Sequence, residues 1–274
     1  MTRCCSVGAL ELAGSTVLLT GASGGLGRAI AHALDTRGAC VLLSGRREGA
    51  LEEVRAELGG RAEVLAADLA EPGAALALAA RAGAVDALVA NAAVPASGAA
   101  TDFTSEQIDR ALDVNLRAPI QLTRALLPGM VERRRGHLVF VSSLSGKVAS
   151  RGSAIYSATK FGLRGFASGV REDLHGTGVG VTVVFPSFIA DAGMYADTGV
   201  RLPRGVSLPS AHDVAAAVVR GIEDGRREID VAPLSLRAGV LASSLAPRAT
   251  AALQRRLGSD RIAAEMADAQ RDKR

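Results

Sequence analysis

Thr16-Val17-Leu18-Leu19-Thr20-Gly21-Ala22-Ser23-Gly24-Gly25-Leu26-Gly27 decides how the rest of this chain is read. Its first five residues are β-branched or apolar, as in a buried strand. Glycines follow at G-x-x-x-G-x-G spacing, and a helical pattern opens directly after them. Glycines permit a tight turn and close backbone approach. They leave free N–H groups at a helix N-terminus, where these suit a pyrophosphate. Glycine-rich turns are common, and the strand before with the helix after is what gives this one meaning.

Working outward, short apolar runs alternate with amphipathic stretches. Strands are expected at Thr16–Thr20, Cys40–Ser44, Ala62–Ala67, Ala87–Ala90, His137–Ser142, Gly180–Phe185 and Glu228–Val231. Leu26–Arg37, Leu51–Leu58 and Ile120–Arg134 read as helices between them. The alternation predicts an α/β fold, a doubly wound parallel sheet of about seven strands flanked by helices. With no repeat or linker, residues 1–232 read as one Rossmann-like domain and residues 233–274 as a C-terminal extension. Residues 187–210, rich in glycine and proline, read as a loop at the carboxyl end of strand six and a candidate lid. In the extension, Leu241, Leu245 and Leu253 suggest an apolar face interrupted by Pro247. A dimer contact or extra core cover fits that pattern better than membrane attachment.

Composition narrows the function classes. Hydrophobic residues make up 48% of the 274, with 3% aromatics and no tryptophan, so the core is aliphatic. The net charge of +4 arises from 32 cationic against 28 anionic residues, and Lys147, Lys160 and Lys273 are the only lysines. We read the arginine excess as codon bias of a GC-rich genome. Arg133-Arg134-Arg135 falls where a helix should end and complements its dipole, so it does not argue for nucleic acid. Cys4, Cys5 and Cys40 form no metal or disulfide pattern, and Cys40 reads as a small buried side chain in a reducing compartment. His32 and His175 belong to helical patterns, His137 starts a strand and His212 begins a helix, without metal or triad partners. No apolar segment of 18 residues free of charge appears and the N-terminus lacks a signal-peptide h-region, so a cytoplasmic protein without a transmembrane segment is expected.

The chemistry concentrates in Tyr156-Ser157-Ala158-Thr159-Lys160, preceded by Ser142-Ser143. At i, i+4 spacing Tyr156 and Lys160 leave one helix face. An ammonium beside a phenol is expected to lower the tyrosine pKa from its usual ~10 and ready it for proton exchange. A serine hydroxyl nearby polarises a carbonyl oxygen. This combination points to carbonyl/alcohol redox chemistry.

With the glycine spacing, these residues make the chain resemble the short-chain dehydrogenase/reductases from about Val17 to Val231. Other markers stand in order: Asp68 closing strand three, Asn91-Ala92-Ala93 after strand four, Asn115 before Pro119, and Ser142-Ser143 closing strand five. The resemblance implies Tyr156 as general acid or base and Lys160 as its pKa-lowering partner on the nicotinamide ribose. It implies Ser143 on the carbonyl oxygen, by its spacing to the tyrosine, and Asn115 holding a relay water. It also implies cofactor contacts at Gly21, Ser23, Gly25, Leu26, Gly27, Asp68, Leu69, Asn91, Ala92, Pro186 and the backbone of Ile189, besides Tyr156 and Lys160. A homodimer or homotetramer is implied as well.

At the end of strand two, where an acid would select NAD, the chain reads Ser44-Gly45-Arg46-Arg47. Arginine forks match a 2′-phosphate, which favours NADP over NAD, although the fingerprint loop has no basic residue and both arginines also suit a solvated helix start. After strand six the family's usual Pro-Gly is replaced by Pro186-Ser187, and Asp191 stands where a threonine is usual. Asp191 either accepts a bond from the carboxamide or turns outward. The pocket wall is expected from Val94–Gly98, Leu144–Arg151 and the lid around Met194, Tyr195 and Leu202, mainly apolar, with Arg201 and Arg204 nearby. The leading expectation is an NADP-dependent oxidoreductase on a hydrophobic ketone or secondary alcohol. A non-catalytic NADP sensor, and a dehydratase or epimerase on the same motif, are the alternatives.

Overall fold

The computed structural model describes residues 8–196, 198, 207–246 and 259–271. Its strands are β1 (Thr16–Thr20), β2 (Cys40–Ser44), β3 (Ala62–Val64), β4 (Ala87–Ala90), β5 (Gly136–Val141), β6 (Val179–Pro186) and β7 (Glu228–Val231). They form one parallel sheet in the order β3-β2-β1-β4-β5-β6-β7. Chain order reverses between β1 and β4. The carboxyl ends of those strands, at Thr20 and Ala90, therefore open the crevice where ligands bind in such sheets.

The helices are α1 (Gly25–Thr36), α2 (Glu48–Glu57), α3 (Ala74–Ala82), α4 (Ser105–Leu112), α5 (Ala118–Glu132), α6 (Ala154–Asp173), α7 (Gly193–Ala196), α8 (Ala211–Asp224), α9 (Leu234–Leu245) and α10 (Ser259–Ala269). Successive strand residues face opposite sides, and both sides are apolar. Leu19, Val41 and Val139 meet Ile30 and Leu34 of α1 and Val218 and Ile222 of α8. Leu18, Leu88 and Phe140 meet Leu78 of α3, Leu122 of α5 and Leu163 of α6. This is the doubly wound α/β sheet that the sequence predicts.

Some boundaries differ. β3 stops at Val64, although beyond it Leu65 and Ala67 still donate to Leu43 and Gly45 of the β2 side. Asp68 consequently lies four residues past the strand. Ser142 falls just outside β5, His175 sits in a turn beyond α6, and Cys40 is only half-buried. The helical turn α7 interrupts the expected loop. Leu253, Pro247, Leu202, Arg201, Arg204, Cys4 and Cys5 lie outside the described residues. Arg133, Arg134 and Arg135 end α5, and each guanidinium has an internal partner: Val85 O, Gly176 O, and Ser15 Oγ with Asp86 respectively.

His137 in β5 is fully buried, with Nδ1 2.7 Å from the Gly8 carbonyl and Nε2 2.8 Å from Thr182 Oγ1. Burial lowers its pKa to about 4, so the folded protein holds it neutral at pH 7. The unfolded chain, with a histidine pKa near ~6.5, takes up the proton first on acidification. The stability that neutral His137 contributes is complete above that value and is lost as pH falls toward 4. The loss amounts to about 3 kcal/mol. Denaturant titrations from pH 7 to 4 should show it, and His137→Gln should lose correspondingly less across the same window. Equal losses in the two proteins would exclude His137 as the cause.

Candidate active site

The glycine turn is built as a close-fitting corner. Gly21 has φ +68°, in the left-handed region, and a Cβ there would stand 2.8 Å from Ala92 Cα. Thr20 Oγ1 accepts the N–H groups of Asn91 and Ala92, both at 3.1 Å, while Asn91 Nδ2 donates to the carbonyls of Thr20 and Gly21. Asn91 thus clamps β4 to the turn. Gly24 caps α1 without any side-chain bond, so the first N–H groups of the helix have no side-chain acceptor. Together with the helix dipole they make a cradle for an anion. Ser23 lies beside Gly45, with the space for a Gly45 Cβ only 3.2 Å from Ser23 Oγ.

Arg46 and Arg47 follow Gly45, both exposed, and among the described residues neither has an ion-pair partner. Nearby arginines differ: Arg28 pairs with Glu57, Arg37 with Glu223, Arg55 with Glu52 and Arg61 with Asp35. Asp68 accepts from Ala70 N at 3.0 Å and stands 3.8 Å from Arg110, with Leu69 half-buried beside it.

The proton-handling residues converge from three elements. Ser143 follows β5 and its Oγ accepts from Ser145 N at 3.1 Å; its hydroxyl lies near enough to the Tyr156 phenol to favour the phenolate. Tyr156, half-buried, and Ile155 pack against the cluster of Val94, Ala96, Ala111 and Val114. Lys160, one turn along α6, is 2% exposed; its Nζ donates to the Val141 carbonyl at 3.0 Å and lies 5.5 Å from the Tyr156 ring centroid. Ser142 turns the other way, to the Lys160 carbonyl at 3.2 Å. Asn115 sits in a π-helical turn, Asp113–Arg117, and trades two bonds with the Val94 backbone at 2.7 and 3.0 Å. Such turns often mark functional positions. One N–H and one lone pair of its amide remain for another partner.

The expected fall in the Tyr156 pKa is not found. Burial raises it to about 12 against the lowering influence of Ser143, and burial lowers Lys160 to about 8. Desolvation favours the neutral form of each group and is the largest influence on both. Tyr156 is therefore held protonated, as an acid.

Beyond β6, Ser187 N–H donates to Val231 O, and Ile189 is buried. Asp191 is exposed, in keeping with one of its two expected placements. Its carboxylate accepts the Ala211 N–H at 2.8 Å, at the positive end of α8, which anchors the loop. Ala192 then closes over the glycine turn, where a Cβ on Gly25 would meet Ala192 Cβ at 2.9 Å. Lys147, expected in the pocket wall, instead binds Asp230 at 2.5 Å and Glu228 at 3.1 Å and covers the Phe185 ring. Neither Asp191 nor Lys147 carries a sequence signal for its partner, because both partners lie on distant elements. Among the described residues no His, Cys, Asp or Glu group is arranged for a metal, and no helix is long and apolar enough to cross a membrane.

Residues 15–199 match the family model for short chain dehydrogenase. The chain is a short-chain dehydrogenase/reductase. It belongs to a family of oxidoreductases acting on CH–OH groups. It is 37% identical over 228 residues to the ketoacyl reductase HetN of Nostoc sp. strain PCC 7120, covering 80% of this chain and 79% of that one. Among solved structures, a metagenomic short-chain oxidoreductase in complex with NADP is 33% identical, with a TM-score of 0.68 over 81% of this chain and 98% of the other. A short-chain dehydrogenase from Sphingobium yanoikuyae in complex with NADPH is 28% identical, with a TM-score of 0.74 over 84% and 93%.

Proposed function

We propose that this short-chain dehydrogenase/reductase interconverts a ketone and a secondary alcohol with NADP(H). The observation that carries the reading is the meeting of Ser143, Tyr156 and buried Lys160 beside the anion cradle of α1. When bound, the nicotinamide supplies or accepts the hydride. The uncapped N–H groups at Gly25, Leu26 and Gly27, with Gly21 and Ser23, suit its pyrophosphate. Asp68, Leu69, Asn91 and Ala92 border the adenine side, and the backbone of Pro186 and Ile189 the carboxamide side. Relatives solved with NADP and NADPH support the cofactor.

Ser143 donates a hydrogen bond to the carbonyl oxygen and fixes it against the Tyr156 hydroxyl. Tyr156, protonated at neutral pH, gives its proton to that oxygen as negative charge grows there. The Lys160 cation lowers the cost of the phenolate left behind, and Asn115 is suited to hold a water that refills the proton. Val94, Ala96 and Ile155 around the phenol favour a hydrophobic ketone, in keeping with a relative named ketoacyl reductase. A homodimer or homotetramer is part of the same proposal. Following NADPH absorbance with a panel of ketones and β-ketoacyl thioesters, and NADP or NAD with alcohols, tests the reading. Bound NADPH with no oxidation by any ketone would leave the sensor alternative.

Arg46 and Arg47 make the cofactor choice testable. Replacing both with alanine should weaken NADPH binding roughly 10- to 50-fold, the equivalent of one charge-assisted hydrogen bond, and leave NADH binding unchanged. Calorimetric titration with each cofactor gives the two constants. Equal losses for both would assign the arginines to the fold instead of the 2′-phosphate.

A further inference from the structure

Lys147 and Arg164 stand at matching offsets from the reacting groups. Lys147 comes four residues after Ser143, directly behind the turn Leu144–Gly146, and Arg164 comes one helical turn after Lys160 on α6. Both reach the same carboxylate. Glu228, in the edge strand β7, accepts Arg164 Nε on Oε1 at 2.9 Å and Arg164 Nη2 on Oε2 at 3.2 Å, and Lys147 Nζ lies 3.1 Å from Oε2. Asp230, two residues along β7 and on the same face, accepts Lys147 Nζ on Oδ1 at 2.5 Å. The Phe185 ring of β6 faces both cations, 4.0 Å from Lys147 Nζ and 5.5 Å from Arg164 Cζ. The Lys147 side chain is 12% exposed, so water screens its contacts less than it does those of a surface pair. On its other side the turn is seated directly on α6. A Cβ on Gly146 would stand 2.7 Å from the Lys160 carbonyl oxygen and 2.6 Å from Ser142 Oγ. The turn that follows Ser143 is thus held between α6 and β7.

We propose that Lys147 is a positioning residue of this reductase, and that Glu228 and Asp230 are the anchor through which it works. Glu228 ties the turn after Ser143, and the helix that carries Tyr156 and Lys160, to one point of the sheet. Asp230 doubles the hold on the turn. Lys147 acts through Ser143 and Tyr156 and not on the substrate itself. The strap keeps the serine hydroxyl and the phenol aimed at one carbonyl oxygen, where a displacement of about 1 Å costs about 100-fold in rate. The proposal rests on the ketone reductase reading for its catalytic consequence and on geometry alone for the strap. The strap lies at the β7 end of the sheet and the anion cradle at β1, with β4, β5 and β6 between them, so loss of the strap spares the cradle.

The full chain carrying Lys147→Met or Glu228→Gln tests it, since each change removes a charge and keeps the side-chain volume close to the original. The amides of 145–148 bond to Ser143 and Leu144, and their hydrogen exchange should be at least about threefold faster in both variants, a measurement that needs no turnover. Ketone reduction should lose about tenfold in kcat in both variants, with the enzyme counted by NADPH binding so that unfolded protein does not enter the rate. Kd for NADPH should stay within about twofold, as for distant sites. Lys147→Arg keeps a cation on a long stem and should bring kcat back to within about threefold of the unaltered enzyme. Unchanged exchange in both variants overturns the strap. Faster exchange with unchanged kcat overturns the positioning role and leaves the ion cluster to the fold alone. A kcat loss that Lys147→Arg does not recover, or that is matched by an equal loss of NADPH binding, overturns it as well. Absence of turnover with every ketone in the unaltered protein defeats the reductase reading instead, and the exchange result then still decides the strap.

Discussion

Tyr156→Phe should lower ketone reduction about 10³-fold, within the range that a positioned proton donor contributes, while NADPH binding stays within about twofold. The substitution removes one oxygen. The ring stays packed against the cluster of Val94, Ala96, Ala111 and Val114, so the packing that forms this wall is preserved. What is lost is the phenol hydroxyl near Ser143 and the proton that it directs at the substrate oxygen. Because burial holds the phenol near 12 and the amine near 8, reduction should run at a constant rate from pH 6 to about 8 and decline above that, first as Lys160 loses its charge. The decline should begin at the lysine and not at the tyrosine, so Lys160→Met should remove the step at 8. Undiminished turnover in Tyr156→Phe would end the acid assignment. Net oxidation of NADPH in the unaltered enzyme would at the same time exclude the dehydratase and epimerase alternative.

The features readable in advance are those that local geometry determines. Tyr156 and Lys160 share a face because any helix puts i and i+4 together. Ser143 is separated from Ser142 by alternation at the end of a strand, Ser143 Oγ accepting from Ser145 N while Ser142 Oγ turns to the Lys160 carbonyl. The order of apolar runs implies the sheet and its crevice, and the strand ends at β1, β2, β4 and β7 agree with the pattern. Features set by distant packing were not readable. The sign of the Tyr156 shift depends on how thoroughly aliphatic walls exclude water, which a nearby lysine in the sequence does not reveal. Asp191 finds the Ala211 N–H only once α8 has docked, and Gln270 finds the Met194 carbonyl only once the extension has folded back.

Gly27→Ala should both destabilise the protein and weaken NADPH binding roughly 100-fold, the equivalent of one or two charge-assisted hydrogen bonds. A Cβ at this position would lie 2.1 Å from the Gly21 carbonyl oxygen and 2.8 Å from Ala22 Cα. Both are backbone atoms of the turn, so no side chain can swing aside. The turn is fixed to β4 through Thr20, Asn91 and Ala92, and α1 is fixed by Ile30 and Leu34 in the core. Relief requires either moving α1 off the sheet or rotating the Gly21 peptide. The first opens the core and the second dismantles the ring of N–H donors. Overpacking of this kind costs about 1–3 kcal/mol, enough to lower Tm by roughly 4–10 °C for a domain of this size. Gly49→Ala is the matched control, because a Cβ on that exposed residue of α2 meets nothing within 4 Å. The chain has no tryptophan, so NADPH fluorescence reports binding without overlap from indole emission. If Gly27→Ala melts and binds like Gly49→Ala, the turn is neither as tight as drawn nor the seat of the pyrophosphate. If it melts early but binds normally, the corner serves the fold alone and the pyrophosphate is not held there.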